Sequence, residues 1–377
     1  MVKEKFSLKD HLFNERKVTY LGQLFASTTP KFNTKQFTKD VMERLLELEL
    51  KERIVWIAVV LEKHLPSDFK KSSVCIVDAL PPALDETQTD GDFGDFILAP
   101  LGEYVVRNGA KQEYLSESFA TLLALTQRFS MEDAMRTFIN EFQKETLTQY
   151  KLWSKHKNYH VRRLVSESLR PSLPWSKKIT LPYTDAVSFL SLLHRDNTRY
   201  VTRSVANHLN DISKKDPKLV VNLLAKWKQE GGQETHELAW MTRHALRTLI
   251  KAGNPDALTL LGFTKNIAVT VTQFSVPTQK IVLPGLLSFS FELHGVSSGN
   301  LLIDYSIDFV KANGKTKPKV FKIKKCVIKS GEVIHVTKNH RLRGDATTFT
   351  LRPGVHSLTL LINGSKYNTA EFVITTT

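Results

Sequence analysis

Cysteine is scarce in this chain. Cys75 and Cys326 stand far apart, with no Cys-x-x-Cys pair and no Cys/His cluster, which argues against a disulfide framework and a thiolate metal site. No stretch approaches 18 uninterrupted apolar residues, so no membrane helix is expected. The opening segment MVKEKFSLKDHLFNERKV mixes both charge signs without the apolar run of a leader, and the reading is a cytoplasmic, reducing location. Walker, GxGxxG, HExxH and GxSxG signatures are all missing. Acidic charge is in short supply too, with 38 Asp and Glu against 53 Lys and Arg, a net +15. That balance points to a polyanionic partner, and nucleic acid is the first candidate.

What is present is ordinary globular composition, 41% hydrophobic and 24% charged, over 377 residues. That length suits two domains or a repeat array rather than one small module. From Phe37 to about Phe263 apolar residues recur three and four apart, as in Val41, Leu45, Leu48 and then Ile54, Ile57, Leu61. Proline and glycine breaks cut this region into helices of ordinary length. Beyond Phe263 the period becomes two, in LLSFSFEL, LLIDYSIDFV, KVFKIKKCVI, EVIHVT, HSLTLLI and AEFVIT. Turns such as Asn313-Gly314, Ser330-Gly331 and Asn363-Gly364 separate these strands, and a small β-sandwich is expected. The boundaries follow as 1–263 for the helical part and 264–377 for the β part. The β part holds 15 Lys and Arg against six Asp and Glu, a net +9.

The helical half repeats. Val161-Arg162-Arg163 with Glu167 and Leu169 returns 40 residues later as Val201-Thr202-Arg203 with Asn207 and Leu209, then as Met241-Thr242-Arg243 with Arg247 and Leu249. A 40-residue period is that of HEAT-type helical pairs, which bury their apolar faces only by stacking into a solenoid. Arg162, Arg163, Arg199, Arg203, Asn207, Arg243 and Arg247 would align as a stripe suited to DNA phosphates; salt bridges between repeats are the plainer alternative. Glu167 lies one turn after Arg163, and a carboxylate beside phosphates calls for a role, such as stabilising a developing cation or orienting water. Trp175, on a loop opened by Pro171 and Pro174, and Trp153 are candidates to stack on a base or sugar. Pairing of Glu167 with Arg163 and burial of both tryptophans are the bland readings. His156 and His160 could share a helix face as metal ligands but lack a third partner. Asp85, Glu86, Asp90, Asp92 and Asp95, with Gly91 and Gly94, read as a solvated linker rather than a calcium loop. In the β part, Lys338, His340, Arg341 and Arg343 are the candidate DNA contacts.

The blocks WSKHKNYHVRRLVSESLRPSLPW, RYVTRSVANHLNDISKKDP and HALRTLIKAGNPDALTLLGF resemble the AlkC/AlkD-type DNA alkylation repair glycosylases. The resemblance is strong over about residues 96–263, and the C-terminal segment with RPGVHSLTLLINGS is similar to the immunoglobulin-like domain of the AlkC branch. It implies a HEAT-like α-solenoid followed by a small immunoglobulin-like β-sandwich. The implied activity is hydrolysis of the N-glycosidic bond of cationic bases, chiefly 3-methyladenine with 3-methylcytosine for the AlkC branch, without full base flipping and with no cofactor. The implied partner is double-stranded DNA containing alkylated bases; a monomer is expected. Carried over by resemblance, Glu167 is the catalytic glutamate, Trp175 the loop tryptophan, Arg163 a site arginine and Glu132 a second acidic residue. Ser168 replaces the family's glycine in SEG, and Ser172 the arginine of RPRLPW. A non-catalytic protein that binds damaged DNA is the alternative, and a protein–protein scaffold a third that the charge disfavours. Steep salt dependence would mark either DNA binder.

Overall fold

The computed structural model describes residues 6–87, 93–264, 266–344 and 350–375. Helices come first: α1 (Leu8–Leu12), α2 (Glu15–Ala26), α3 (Thr34–Leu45), α4 (Leu50–His64), α5 (Phe69–Asp78), α6 (Ala99–Gly109), α7 (Leu115–Thr126) and α8 (Glu132–Glu141). The series continues with α9 (Gln143–Trp153), α10 (Tyr159–Ser168), α11 (Val187–Leu193), α12 (Arg199–Ser213), α13 (Pro217–Glu230), α14 (Thr235–Ala245), α15 (Arg247–Lys251) and α16 (Pro255–Leu260). Helices therefore start well before Phe37, where the sequence pattern first became regular. No helix among the described residues is long and apolar enough to cross a membrane.

The chain divides into two compact units, one of Met1–Ile212 with Glu230–Ala245, the other of Ser213–Gln229 with Leu246–Thr377. The repeated segments start on α10, α12 and α14 of the first unit, while Arg247 and Leu249 of the third copy lie on α15 of the second. Asn158 caps α10, its side-chain oxygen accepting from the His160 amide at 2.9 Å, and Pro171 prevents its continuation. On α12, Val201, Val205, Leu209 and Ile212 are spaced by one helical turn and all buried.

The second unit is a sandwich of a three-stranded and a five-stranded sheet, ordered β1-β3-β6 and β2-β8-β7-β4-β5. Its strands are β1 (Val269–Ser275), β2 (Lys280–Val282), β3 (Gly285–Gly295), β4 (Gly299–Val310), β5 (Thr316–Ile328), β6 (Val333–Leu342), β7 (Gly354–Ile362) and β8 (Ser365–Thr375). Six of these are the expected runs; β1 and the short β2 are additions, because VTVTQFS alternates threonine with valine and offers little apolar signal. Leu287, Phe289, Phe291 and Leu293 of β3 meet Ile303, Tyr305, Ile307 and Phe309 of β4 in the core. Strand β4 is also covered on its other face, where Leu302 packs with Leu258 and Phe263. The short helices α15 and α16 therefore belong with the sandwich by packing, although the secondary structure changes type only after them. Gly253, at φ +68°, has the Gly364 backbone within 2.8 Å of where a Cβ would sit, so a side chain cannot be placed there. Asn363 ties the same corner together, donating to the Thr264 and Asn300 carbonyls and accepting from the Leu302 amide.

Candidate active site

The site builds outward from the last turn of α10. Glu167 is 5% exposed, yet both its oxygens are engaged. Oε1 accepts from Arg170 Nη1 at 2.6 Å and lies 3.6 Å from Arg163 Nη2; Oε2 accepts from Ser204 Oγ at 2.6 Å. Burial alone would raise its pKa, but the two guanidinium groups and the Ser204 hydroxyl outweigh it and bring the carboxyl down to about 2. Glu167 is thus a buried, ionised carboxylate across the whole physiological range. A group depressed in this way adds stability at pH above its ordinary 4.5, lost as pH falls through about 2.

One face of α12 holds this arrangement. Tyr200 lies under the Arg163 guanidinium at 4.9 Å, Ser204 donates to Glu167, His208 Nδ1 is 3.0 Å from the Ser166 carbonyl, and Asp211 is 2.9 Å from Arg170 Nη2. Residues 200, 204, 208 and 211 recur at helical spacing, so one helix surface supports every group around the carboxylate. Arg163 also reaches back to α8, 3.4 Å from Glu132 and bonded to Ser130 Oγ. Phe93 lies beside Tyr200, edge-on to it at 5.7 Å and 5.7 Å from the Arg163 guanidinium. Nearby in the chain, Glu86 accepts from Asn158 at 3.1 Å, and Asp95 pairs with Lys17. Asp90, Gly91 and Asp92 lie outside the described residues.

Trp175 is the exposed aromatic of the group, 71% accessible, with a left-handed backbone at φ +67°. It overhangs a cleft of about 250 Å³ whose walls include Phe96, Phe129, Met131, Glu103 and Glu132. Glu132 thus belongs both to the cleft and to the ion network of Arg163. Carboxylates on an apolar cleft favour a cation there. Ser168 is accommodated without strain, its hydroxyl donating to the Leu164 carbonyl at 2.7 Å and meeting Tyr150 Oη at 2.7 Å. Ser172 is exposed and supplies no cation where the family pattern has one.

Several expectations need correction. Trp153 is 2% exposed and packs on Phe119 and Tyr150, so it is core and has no surface for DNA. Arg162 is spent on Asp196, at 2.5 and 3.0 Å, and on the carbonyls of His156 and Lys157. Arg199 is likewise taken up by Glu237 and lies 4.0 Å over the Trp240 ring. Both are the salt bridges between repeats that the sequence left open. The arginine stripe is uneven: Arg163 is buried, Arg203 half-buried 5.8 Å over Tyr200, and Arg243 exposed. Asn207 Oδ1 is 2.9 Å from His244 Nε2. Arg247 is half-buried and belongs to the second unit. His160 is buried and stacked on Tyr159, and His156 accepts from the Asn158 amide; no metal-binding group of His, Cys, Asp and Glu occurs among the described residues. On β6, His340 faces inward, 2.6 Å from Tyr305 Oη and edge-on to Phe321, and burial helped by Lys338 lowers it to about 4. It is neutral and no phosphate contact. Lys338 is half-buried on the same side, whereas Arg341 and Arg343 are exposed and border a shallow hollow with Pro284 and Gly344.

Sequence reasoning missed Arg170, Ser204, Tyr200, Asp211 and Phe93. The helical spacing of 200, 204, 208 and 211 was a signal for a shared face, but nothing in it named the partner.

Residues 270–376 match the family described as "Uncharacterised protein YhaZ, C-terminal Ig-like domain". The chain is similar to the uncharacterized protein YhaZ of Bacillus subtilis (strain 168), 34% identical over 367 residues, covering 96% of this chain and 98% of that protein. It is also similar to the solved structure of the Pseudomonas fluorescens alkylpurine DNA glycosylase AlkC bound to DNA containing an abasic site analog. There the TM-score is 0.87 at 32% identity, covering 98% of this chain and all of that one.

Proposed function

The chain belongs to the AlkC-type family with a C-terminal immunoglobulin-like domain, which includes YhaZ, and from that premise we propose that it is a monofunctional DNA glycosylase acting on cationic N3-alkylated bases. The substrate is 3-methyladenine, with 3-methylcytosine as a further candidate, in double-stranded DNA. The observation that carries this reading is Glu167, ionised, buried and joined through Arg163 to Glu132, which lines a cleft together with the exposed Trp175, in a chain similar over its length to a DNA-bound alkylpurine glycosylase.

The chemistry suits one carboxylate. An N3-alkylated base carries positive charge and leaves as a neutral molecule, taking the electron pair of the C1′–N bond, so no acid is needed to protonate it. Positive charge then develops on the sugar, where the fixed negative charge of Glu167 stabilises it and orients a water towards C1′. The water adds to C1′ and gives up its proton to solvent water. Arg163 and Arg170 keep Glu167 ionised and aimed, and Glu132 balances the charge of Arg163. Trp175 contacts the deoxyribose and the lesion. Arg243, Arg341 and Arg343, all exposed, are the better candidates for flanking phosphates.

Methylated genomic DNA incubated with wild type and with Glu167→Gln, followed by chromatography of the released bases, tests this. Release of 3-methyladenine by wild type and a loss on the order of 10²-fold or more in the variant is expected. Release by neither, with salt-sensitive binding retained, overturns the enzyme reading in favour of a damage-binding protein. Equal release by both removes Glu167 from the reaction.

A further inference from the structure

The loop between α10 and the turn before α11 carries Trp175 but has little hydrogen-bonded structure of its own. It is held instead from α8. Arg136, 1% exposed, donates from Nη1 to the Ser168 and Arg170 carbonyls, both at 3.0 Å, and from Nε to the Lys177 carbonyl. One guanidinium thus spans the start and the end of the loop, using the fork of donors that only arginine offers. The first acceptor is a carbonyl of the last turn of α10, where a cation is also favoured by the helix dipole, and the second lies just beyond the helix cap. One turn on, Asn140 donates to the Lys178 carbonyl at 2.9 Å and accepts from the Thr180 amide at 3.0 Å. Lys177 Nζ in turn donates to Thr137 Oγ1 at 2.9 Å.

Among the described residues no carboxylate pairs with Arg136, which is unusual for a buried cation, since burial without a counter-charge is costly. Glu132, Arg136 and Asn140 stand at i, i+4 and i+8, so the α8 face that braces Arg163 at one end braces the Trp175 loop at the other. The left-handed backbone of Trp175 is a conformation that a non-glycine residue keeps only when its surroundings impose it.

We propose that Arg136, assisted by Asn140, is a positioning residue that sets Trp175 relative to Glu167. It touches neither substrate nor reacting atoms and acts through the loop. The proposal rests on the reading that Trp175 serves the reaction, and the test separates the two. Single-turnover base release from an alkylated duplex and affinity for that duplex would be measured for Arg136→Lys, Asn140→Ala and Trp175→Ala, and for each of the first two combined with the third. Arg136→Lys should slow release roughly tenfold or more, and Asn140→Ala a few-fold, with affinity nearly unchanged. Added to Trp175→Ala, either should cost little further. Effects equally large with and without Trp175 would overturn the proposal, as would wild-type rates in both single variants. A wild-type rate in Trp175→Ala discards the reading of the site itself, and the proposal with it. Asn140 is exposed, so its variant decides the matter even where Arg136→Lys does not fold.

Discussion

At the scale of single residues, the environment of Glu167 decides what it can do. Two guanidinium groups and one hydroxyl keep it ionised, so it is available as a charge and not as an acid. Release of a cationic base between pH 4 and 9 should accordingly lack an acid limb near the ordinary glutamate value of 4.5. Ser204→Ala tests the hydroxyl. It removes the only bond to Oε2 among those described, leaves the two arginines in place, and should lower the rate constant for base release roughly tenfold while duplex affinity changes little. Stopped reactions across pH would show it. An unchanged rate would mean that the arginines alone orient the carboxylate. The spacing of Arg163 and Glu167 was legible in the sequence, and so was their pairing. That Arg170 is a second cation on the same oxygen was not, because only the end of α10 at Leu169 turns its side chain back.

At the scale of elements, the repeats are joined by polar latches that recur with the period. Arg162 reaches Asp196, Arg170 reaches Asp211 and Arg199 reaches Glu237, each from one repeat to the next. Asp196 also organises its own turn, accepting from the Thr198 amide and hydroxyl, while Gln233 donates to the His194 and Asp196 carbonyls from the following repeat. Arg162→Ala leaves the Asp196 carboxylate buried without its cation, and should cost on the order of 2–4 kcal/mol in urea unfolding. The slope of DNA affinity against salt should stay as in wild type, because this arginine is already held by Asp196 and two carbonyls. A reduced slope at unchanged stability would restore Arg162 to the DNA-contacting set. Recurrence of arginine in the sequence thus carried a structural meaning at 162 and 199, and only position by position could the two uses be told apart.

At the scale of the whole molecule, the excess positive charge is the feature that sets affinity for a polyanion. In the second unit it is concentrated more on β5 than on β6: eight lysines and no acidic residue occupy 311–329. Strand β5 is a sheet edge, and Lys317, Lys319, Lys322 and Lys325 are exposed along it. Such charge also guards an edge against pairing with other strands. Replacing these four by glutamine should reduce the slope of log Kd against log salt by about 0.9 for each phosphate that is no longer neutralised. An unchanged slope would confine the strand to its protective role. Substitution is preferable to removing residues 264–377, because Leu258 and Phe263 pack with Leu302 and would lose their cover.

By itself the sequence determined the two periodicities, the 40-residue repeat, the turns of the sandwich and the neighbourhood of Arg163 with Glu167. Each depends on spacing within one element or on recurrence of one unit. The tertiary structure alone decided that Trp153 is core and Trp175 surface, that His340 points inward while Arg341 points out, that Arg136 holds the Trp175 loop, and that Ser204 meets Glu167 and Phe93 meets Arg163. These residues lie some 30 to 75 positions from their partners. Helical period tells which face a residue occupies, but which other face it meets depends on how the units stack, and stacking is a property of the packed chain.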